Sequence, residues 1–259
     1  MSARRTRWLP AALLACLLLG AWELYVEING VEEAVLPAPH AVATALWRSR
    51  SLIWHNFTVT AEEVVLGLGL ALAGGLALAV AVHLLPLARR AVYPLLVGSQ
   101  AVPVPVIGVV LVFWWGFGLL PKLLVIALIC FFPVVVTTVD GLAAVDPEQP
   151  KLLRTLDASR WQAFRFAELP AALPAALSGA RIALAVGVIG AFIAETTTPT
   201  TGAYPGLGRE ILSDVNFQTS RAYAGTVVLF AFAIACFYAL ATVERRLAPW
   251  NVRDRRGRT

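Results

Sequence analysis

Charge is scarce in this chain of 259 residues: Asp, Glu, Lys and Arg make up 14% of it, against about a quarter in soluble domains. Hydrophobic residues make up 59%, and the mean hydropathy is +0.74. This composition excludes an ordinary soluble domain and predicts a protein embedded in a lipid bilayer. The net charge of +5 is therefore no sign of a nucleic-acid partner, because in an apolar chain what matters is where Lys and Arg lie relative to the spans.

Cysteine, histidine and lysine are also rare. The cysteines lie far apart in apolar runs, so we expect neither a disulfide framework nor a metal site: they are Cys16, Cys130 and Cys236. The histidines are widely separated and form no HExxH pattern, which disfavours a metalloenzyme: they are His40, His55 and His83. A phosphate-binding loop of the GxxxxGK[ST] kind needs Gly before its Lys, whereas Lys122 and Lys151 both follow Pro. The chain itself therefore supplies no ATP site of that kind.

Long apolar runs are what the chain has instead. A membrane helix needs about 20 apolar residues, and its backbone must be hydrogen-bonded within the segment. The sequence therefore predicts an all-α membrane protein with six transmembrane helices in a single transmembrane domain, 1–259. The predicted spans are 8–25, 64–87, 91–115, 119–139, 171–194 and 222–243.

The orientation follows from the Lys and Arg residues of alternate loops. Fifteen of them fall on the side of the N-terminus and five on the other, with Arg181 inside a span. We therefore expect both termini to be cytoplasmic and the protein to be a multi-pass component of the plasma or inner membrane. The first run could instead be a secretory signal with a weak lipoprotein-like box at 13–16, but it continues apolar to Tyr25, so an uncleaved helix is favoured.

The third span contains Gln100, Pro103 and Pro105. Each proline removes a helical donor and bends the chain, and such breaks survive in a membrane where protein or a water-filled cavity satisfies the freed carbonyls. These three residues are candidates for the wall of a translocation path. A kink that serves packing alone is an equal alternative.

Three charged positions near the spans complete the candidates. Arg181 could line the path, although snorkelling to the cytoplasmic surface is favoured. Glu195 ends the fifth span on the outer side, where it is either a gate or docking contact, or a solvated helix-end carboxylate. Glu62 and Glu63 open the second predicted span, where the helix dipole favours acids, so helix capping is the favoured role.

The connection 140–170 is the most informative segment. It is polar, is too interrupted to span a membrane, and contains an amphipathic stretch that begins Lys151-Leu152-Leu153-Arg154. A short helix pair with an apolar face and basic flanks suits docking into a groove on another protein.

These residues carry a resemblance. The run Leu156-Asp157-Ala158-Ser159-Arg160-Trp161, followed by 169–174 and 179–183, resembles the "EAA" loop and following helix of permease subunits of binding-protein-dependent ABC importers. The resemblance extends to 131–133, Glu195, 206–208 and 244–246, and is narrowest for the sulfonate, taurine, nitrate and thiamine-precursor branch. Two departures are the opening Lys151-Leu152-Leu153 and Asp157 in place of the usual Gly, although Asp tolerates the left-handed conformation better than most residues.

The resemblance implies a type I importer fold and a division of labour. ATP and Mg would be bound by a partner ATPase, so no cofactor and no catalytic or metal-binding residue is expected in this chain. An external substrate-binding protein would deliver the solute, and two permease copies would pair as a homodimer around one path. The coupling helix that meets the ATPase would be formed by Thr155, Leu156, Asp157, Ala158, Ser159, Arg160, Trp161 and Phe164. The expected solute is a pyrimidine precursor of thiamine or a similar heterocycle, with sulfonate, taurine or nitrate anions as the alternative.

Two other functional classes are alternatives to a permease. An intramembrane hydrolase would need a nucleophile and a base, and Ser99 with His83 is the available pair, but no orienting acid is apparent. A non-transporting scaffold or a passive channel is the remaining alternative, and association with an ATPase would distinguish it from a permease.

Overall fold

The structure is a computed structural model that describes residues 9–198, 202 and 205–248. Over these residues the chain is all-α, as predicted. The helices, in chain order, are α1 (Leu9–Asn29), α2 (Pro39–Arg48), α3 (Arg50–Leu84), α4 (Pro86–Ser99), α5 (Val104–Trp115), α6 (Leu119–Ala143), α7 (Glu148–Thr155), α8 (Arg160–Ala163), a π-helix (Phe164–Glu168), α9 (Leu169–Thr197), α10 (Leu207–Asp214) and α11 (Thr219–Leu247).

Five helical segments in the described part of the chain are long and apolar enough to cross a membrane, and α5 is a shorter apolar helix. The five are Pro10–Asn29, Arg50–Leu84, Leu119–Ala143, Arg160–Thr197 and Thr219–Leu247. These five segments correspond to the first, second, fourth, fifth and sixth predicted spans. The shorter helix α5 belongs to the third predicted span.

The third predicted span, 91–115, is not one helix. It is divided into α4 and α5 by a break at 100–103. The cause is Pro103, which has no backbone N–H and excludes the preceding Val102 from helical geometry. Pro105 lies in the first turn of α5, where a missing N–H costs nothing because first-turn donors have no intrahelical partner.

The second predicted span began too late, because α3 starts at Arg50 rather than at residue 64. Its first turns are polar, but their side chains hydrogen-bond to helix carbonyls three or four residues back. Examples are Asn56 Nδ2 to the Leu52 carbonyl, at 3.2 Å, and Thr58 Oγ1 to the His55 carbonyl, at 2.7 Å. The helix therefore extends well beyond its apolar part.

The chain forms two compact units. Unit 1 contains the described parts of 1–59 and 204–230, with α1, α2, α10 and the first parts of α3 and α11. In it, Trp22 of α1 lies 6.3 Å from the Tyr223 ring, and Ser220 Oγ donates to Glu33 Oε1 at 2.5 Å. These contacts tie the first helix and the following loop to the start of α11.

Unit 2 contains the described parts of 60–203 and 231–259. Its core lies along α6, where Val125, Ile126 and Val134 are fully buried. Helix α3 approaches α6 closely at Gly67, where a Cβ would lie 2.6 Å from Ile126 Cγ2. Close packing, rather than a nucleotide-binding turn, therefore explains this glycine.

Candidate functional site

The segment that the resemblance assigns to ATPase coupling is a helix, a tight turn and a second helix. Helix α7 ends at Thr155, and Asp157 follows with φ of 59°. The Ala158 N–H donates to the Leu153 carbonyl and the Asp157 N–H to the Arg154 carbonyl, both at 3.1 Å. This is a Schellman motif with Asp at the left-handed position that Gly usually occupies. The segment 155–164 is thus not the single helix that the resemblance implied.

A capping box begins the next helix. Ser159 Oγ accepts from the Gln162 N–H at 3.3 Å, and Gln162 Oε1 accepts from the Ser159 N–H at 2.7 Å. These bonds satisfy two donors that would otherwise lack partners at the start of α8. Helix α8 then passes through the π-helix directly into α9, so that the turn is joined to a long apolar helix without an intervening loop.

Phe164 anchors this segment in unit 2. Its side chain is 2% exposed and packs in a cluster with Leu142 of α6 and Ala172 of α9. Its ring centroid lies 6.0 Å from that of His83 and 5.4 Å from that of Trp161. The segment is therefore attached to three helices through one aromatic side chain.

Two polar contacts strengthen the attachment to the end of α3. Arg160 Nη2 donates to the Leu84 carbonyl at 2.9 Å, which caps a terminal carbonyl of that helix. His83 Nε2 lies 2.6 Å from Glu168 Oε2, at the end of the π-helix. His83 is thus paired with a carboxylate, and Ser99 Oγ donates to the Leu96 carbonyl, so the structure offers no catalytic pairing of these two residues.

Large apolar side chains of the same segment face solvent. Exposed fractions are 65% for Leu152, 72% for Leu156, 56% for Trp161 and 68% for Phe166. Leu152 and Phe166 also line a shallow groove of about 460 Å³ between α7 and the start of α9. An exposed apolar patch on a rigid segment with polar neighbours is typical of a protein interaction site.

The break in the third span lines a second groove. Gln100 and Pro103 are exposed at the break, and Pro105 is exposed in the first turn of α5. The groove has a volume of about 320 Å³, and Ser99 and Gln100 are the polar residues that line it. Its other lining residues are apolar and come from α4, α5, α6 and the break between α4 and α5. Of the three predicted path residues, Gln100 lines this groove, whereas Pro103 and Pro105 lie in the chain beside the lining residues Val102 and Val104.

A buried charged cluster, which we call the carboxylate cluster, joins α3, α6 and α9. It consists of Thr60, Glu63, Lys122 and Glu195, each at most 2% exposed. Lys122 Nζ lies 2.6 Å from Glu63 Oε1, and Thr60 Oγ1 donates to Glu195 Oε1 at 2.5 Å. Intramembrane ionisable groups are costly, and their default interpretation is functional.

Sequence reasoning identified Glu195 here but missed its partners. Glu63 was interpreted as a helix cap, which is wrong because α3 begins thirteen residues earlier, at Arg50. Lys122 lies near the start of the predicted span 119–139 and was not predicted to be a site residue. An isolated acid and an isolated base inside apolar runs were the available signal, but one sequence does not show which of them pair.

Arg181 and Glu195 are not brought together. Arg181, on α9, forms an ion pair with Glu244 of α11, and its guanidinium carbon lies 5.2 Å from the centre of the Phe237 ring. This ion pair and ring contact tie α9 to α11, which agrees with the structural role favoured above.

Unit 1 has its own polar cluster. Arg221 Nε and Nη2 donate to the two carboxylate oxygens of Asp214, each at 2.5 Å, and the Arg221 Nε is 3.8 Å from Glu210 Oε1. Burial, together with the neighbouring Asp214 carboxylate, raises the pKa of Glu210 above its ordinary value, although Arg221 opposes the shift. Asn56 Oδ1 accepts from the Gly206 N–H at 3.0 Å. This cluster fixes α10 against α3 and α11.

One group in the described part of the chain has metal-ligating atoms close together: Glu23, Glu27 and His40 lie within 4.8 Å of one another. Glu23 accepts hydrogen bonds from the His40 backbone N–H, at 3.2 Å, and contacts the His40 Nδ1. In this arrangement the imidazole already has a partner, and the contacts hold α2 against α1.

Long apolar helices and an exposed apolar patch on a rigid segment are the features of a polytopic membrane protein with a surface suited to a protein partner. The family model described as "binding-protein-dependent transport system inner membrane component" matches residues 68–249. The chain belongs to this family.

Known proteins resemble it over nearly their whole length. The formylaminopyrimidine transport permease protein ThiX of Halalkalibacterium halodurans is 32% identical over 94% of this chain and 96% of its own. The riboflavin transport system permease protein RibX of Chloroflexus aurantiacus is 30% identical over 96% of this chain and 94% of its own. Among solved structures, an inward-facing form of the MetNI methionine ABC transporter superposes with a TM-score of 0.61. That similarity covers 78% of this chain and 97% of the other at 17% identity, and it concerns the fold.

Proposed function

We propose that this permease carries a small heterocycle of the pyrimidine thiamine-precursor type. A separate ATPase drives transport by docking on the segment 140–170, which we call the coupling segment. ATP and Mg are bound by the ATPase. An external binding protein delivers the solute, and a second copy of the chain completes the path. Both termini lie in the cytoplasm, on the same side of the membrane as the ATPase.

The exposed apolar side chains of the coupling segment carry this proposal. Leu152, Leu156, Trp161 and Phe166 are held outward by the Schellman turn, the capping box and buried Phe164. Such a surface is costly in water unless a partner covers it, and its rigid attachment to α3, α6 and α9 would transmit the movement of a docked ATPase to the spans.

The path in this proposal runs past the break at Gln100, Pro103 and Pro105. The groove there is mostly apolar and has Gln100 among its lining residues, which suits a planar, neutral heterocycle better than a fully charged sulfonate. Arg181 and Glu195 lie on α9, where their contacts with Glu244 and Thr60 hold the helix behind the path. The names of the two relatives described above support a heterocyclic solute.

The association with an ATPase is tested by replacing one exposed tryptophan of the coupling segment. Trp161→Ala is expected to abolish copurification of the ATPase from detergent-solubilised membranes, while membrane insertion stays intact. Trp47→Ala is the matched control, because Trp47 is also exposed, at 72%, but lies on α2 of unit 1. Equal recovery of ATPase activity with the two variants would contradict the proposal and favour a scaffold or channel.

The solute is tested by uptake of labelled formylaminopyrimidine into cells that express the complete transporter. Unlabelled formylaminopyrimidine should compete and taurine should not. Gln100→Leu should lower uptake while ATPase copurification is unchanged. Competition by taurine with equal potency would favour the anion alternative.

A reporter fused after Thr259 should read as cytoplasmic, and an external reading would reverse the side assigned to the coupling segment.

A further inference from the structure

Unit 1 contains an apolar groove at the corner where α2 meets α3, which we call the α2–α3 groove. The single residue Ser49 separates the two helices. The groove has a volume of about 290 Å³ and is lined by residues of α2 and α3 and by Val228 of α11. Trp47 and Trp54 belong to its lining, and they are 72% and 61% exposed. Exposed apolar surface of this kind is typical of a binding site.

The position of Val228 shows which surroundings the groove faces. Val228 lies in the candidate span Thr219–Leu247, nine residues or about 14 Å from the start of the helix. Its neighbours Val227 and Phe230 are 48% and 66% exposed. The α2–α3 groove therefore adjoins the apolar part of a spanning helix, where lipid acyl chains are the ligand that the bilayer supplies.

Arg50 gives the groove its charge. The guanidinium carbon lies 4.9 Å from the centre of the Trp47 ring, and Nη1 donates to the Trp47 carbonyl at 3.0 Å. These contacts hold the guanidinium against the groove wall. Among the described residues Arg50 forms no ion pair, and the C-terminus of α2 offsets only about half an elementary charge. The remaining N–H groups of Arg50 are available to an anionic acceptor.

Apolar walls with one uncompensated arginine match an amphiphile that has an anionic head. Tryptophan side chains are enriched at the level of lipid headgroups, and the arginine fork binds phosphate oxygens through paired hydrogen bonds. A free phosphate would leave the apolar walls uncovered, and a neutral hydrocarbon would leave Arg50 without a counter-charge. A phospholipid satisfies both parts of the groove.

We propose that the α2–α3 groove binds an anionic phospholipid of the bilayer, with an acyl chain along the wall that contains Trp47 and Trp54 and the phosphate on Arg50. The proposal goes beyond the transport function and depends on neither the solute nor the ATPase. Phosphatidylglycerol is the probe, because its headgroup has a net negative charge. Phosphatidylcholine with the same chains is the comparison, because its headgroup has a phosphate but no net charge.

Lipid retention by the full-length protein tests the headgroup. Native mass spectrometry with equal amounts of the two lipids in detergent should show preferential retention of phosphatidylglycerol. Arg50→Gln should lower this retention about tenfold, because charge-assisted hydrogen bonds are lost, and should remove the preference. Arg48→Gln is the matched control, since Arg48 is also exposed but lines a different groove, with Glu33 and Ser220. Its loss should change retention much less.

A photoreactive acyl chain tests the location. Phosphatidylglycerol with a diazirine on its chain should label peptides from 43–57 and the peptide that contains Val228. Trp54→Ala should reduce this labelling, whereas Trp114→Ala, which removes a side chain that is 68% exposed on α5 of unit 2, should not. Both tryptophans are exposed, so we expect both variants to fold, and circular dichroism checks this.

Four results would overturn the proposal. Equal retention of the two lipids by wild type would mean that any lipid covers this surface. Equal losses in Arg48→Gln and Arg50→Gln would indicate a general charge effect. Displacement of the lipid by glycerol 3-phosphate at the same concentration would identify a site for a free phosphate. Conversion of a dimer into a monomer by Trp54→Ala, without labelling of the groove in wild type, would assign this surface to a second copy of the chain.

Discussion

The carboxylate cluster and the coupling segment are two regions of unit 2 that distribute charge and apolar surface in opposite ways. At Glu63 on α3 the charges are buried and paired with each other. Twenty-one residues later, about 32 Å along the same helix, Leu84 adjoins a segment in which Arg160 and several large apolar side chains are exposed.

The difference shows where the stabilising contacts of each region come from. The carboxylate cluster forms an ion pair and a hydrogen bond between buried side chains of the same chain, so a single substitution there removes the partner of a buried group. The coupling segment satisfies its backbone within the chain but leaves apolar area for another protein. Substitutions should therefore affect stability in the first region and association in the second.

The largest effect is expected for Lys122→Met. It leaves Glu63 buried without its cation, which should reduce the free energy of unfolding by about 3–5 kcal/mol, measured by thermal unfolding in detergent. Lys151→Met is the control, because Lys151 forms an exposed pair with Glu148, and such pairs contribute about 0.5 kcal/mol or less. Similar losses in the two variants would show that burial does not distinguish the regions.

The next test compares two phenylalanines within the coupling segment. Phe164→Ala removes a ring that is 2% exposed and should cost about 3–5 kcal/mol of unfolding free energy. Phe166→Ala removes a ring that is 68% exposed and should cost about 0.5 kcal/mol or less. It should nevertheless reduce ATPase copurification, and the opposite order of the two stability losses would refute the anchoring role of Phe164.

The smallest effect concerns Asp157, whose φ is 59°. Asp157→Val should lower the free energy of unfolding by about 1–2 kcal/mol, because a β-branched residue is strained in the left-handed region. Asp157→Gly should equal or slightly exceed wild type, whereas Arg154→Gly, within α7, should cost about 0.5–1 kcal/mol. A loss with Asp157→Gly would mean that the carboxylate, rather than the backbone conformation, is what the turn requires.

Much of the fold can be predicted from apolar runs because the bilayer requires length and hydropathy of every spanning helix. The start of α3 could not, because polar residues such as Asn56 and Thr58 lower the hydropathy of its first turns, although their side chains hydrogen-bond to helix carbonyls. Pro103 predicts a bend in the third span. The sequence does not show that the span divides into two helices there, because this depends on the position of Pro103 immediately before α5.

The candidate site was predicted unevenly for a related reason. Local chemistry, such as the tolerance of Asp157 for the left-handed conformation, could be inferred from adjacent residues and agrees with the observed φ. The pairing of Glu63 with Lys122 joins residues 59 positions apart. Nothing in one sequence specifies which face of α3 meets α6, so this pairing became visible only in three dimensions.

The direct continuation of α8 through the π-helix into α9 has a mechanical consequence. The segment Arg160–Thr197 is 38 residues of uninterrupted helix, about 57 Å long. A rod of that length acts as a lever: a rotation of roughly 5° about one end displaces the other by about 5 Å. An angular adjustment at the capping box, too small to disturb its hydrogen bonds, would therefore become a displacement the size of a small solute near Glu195.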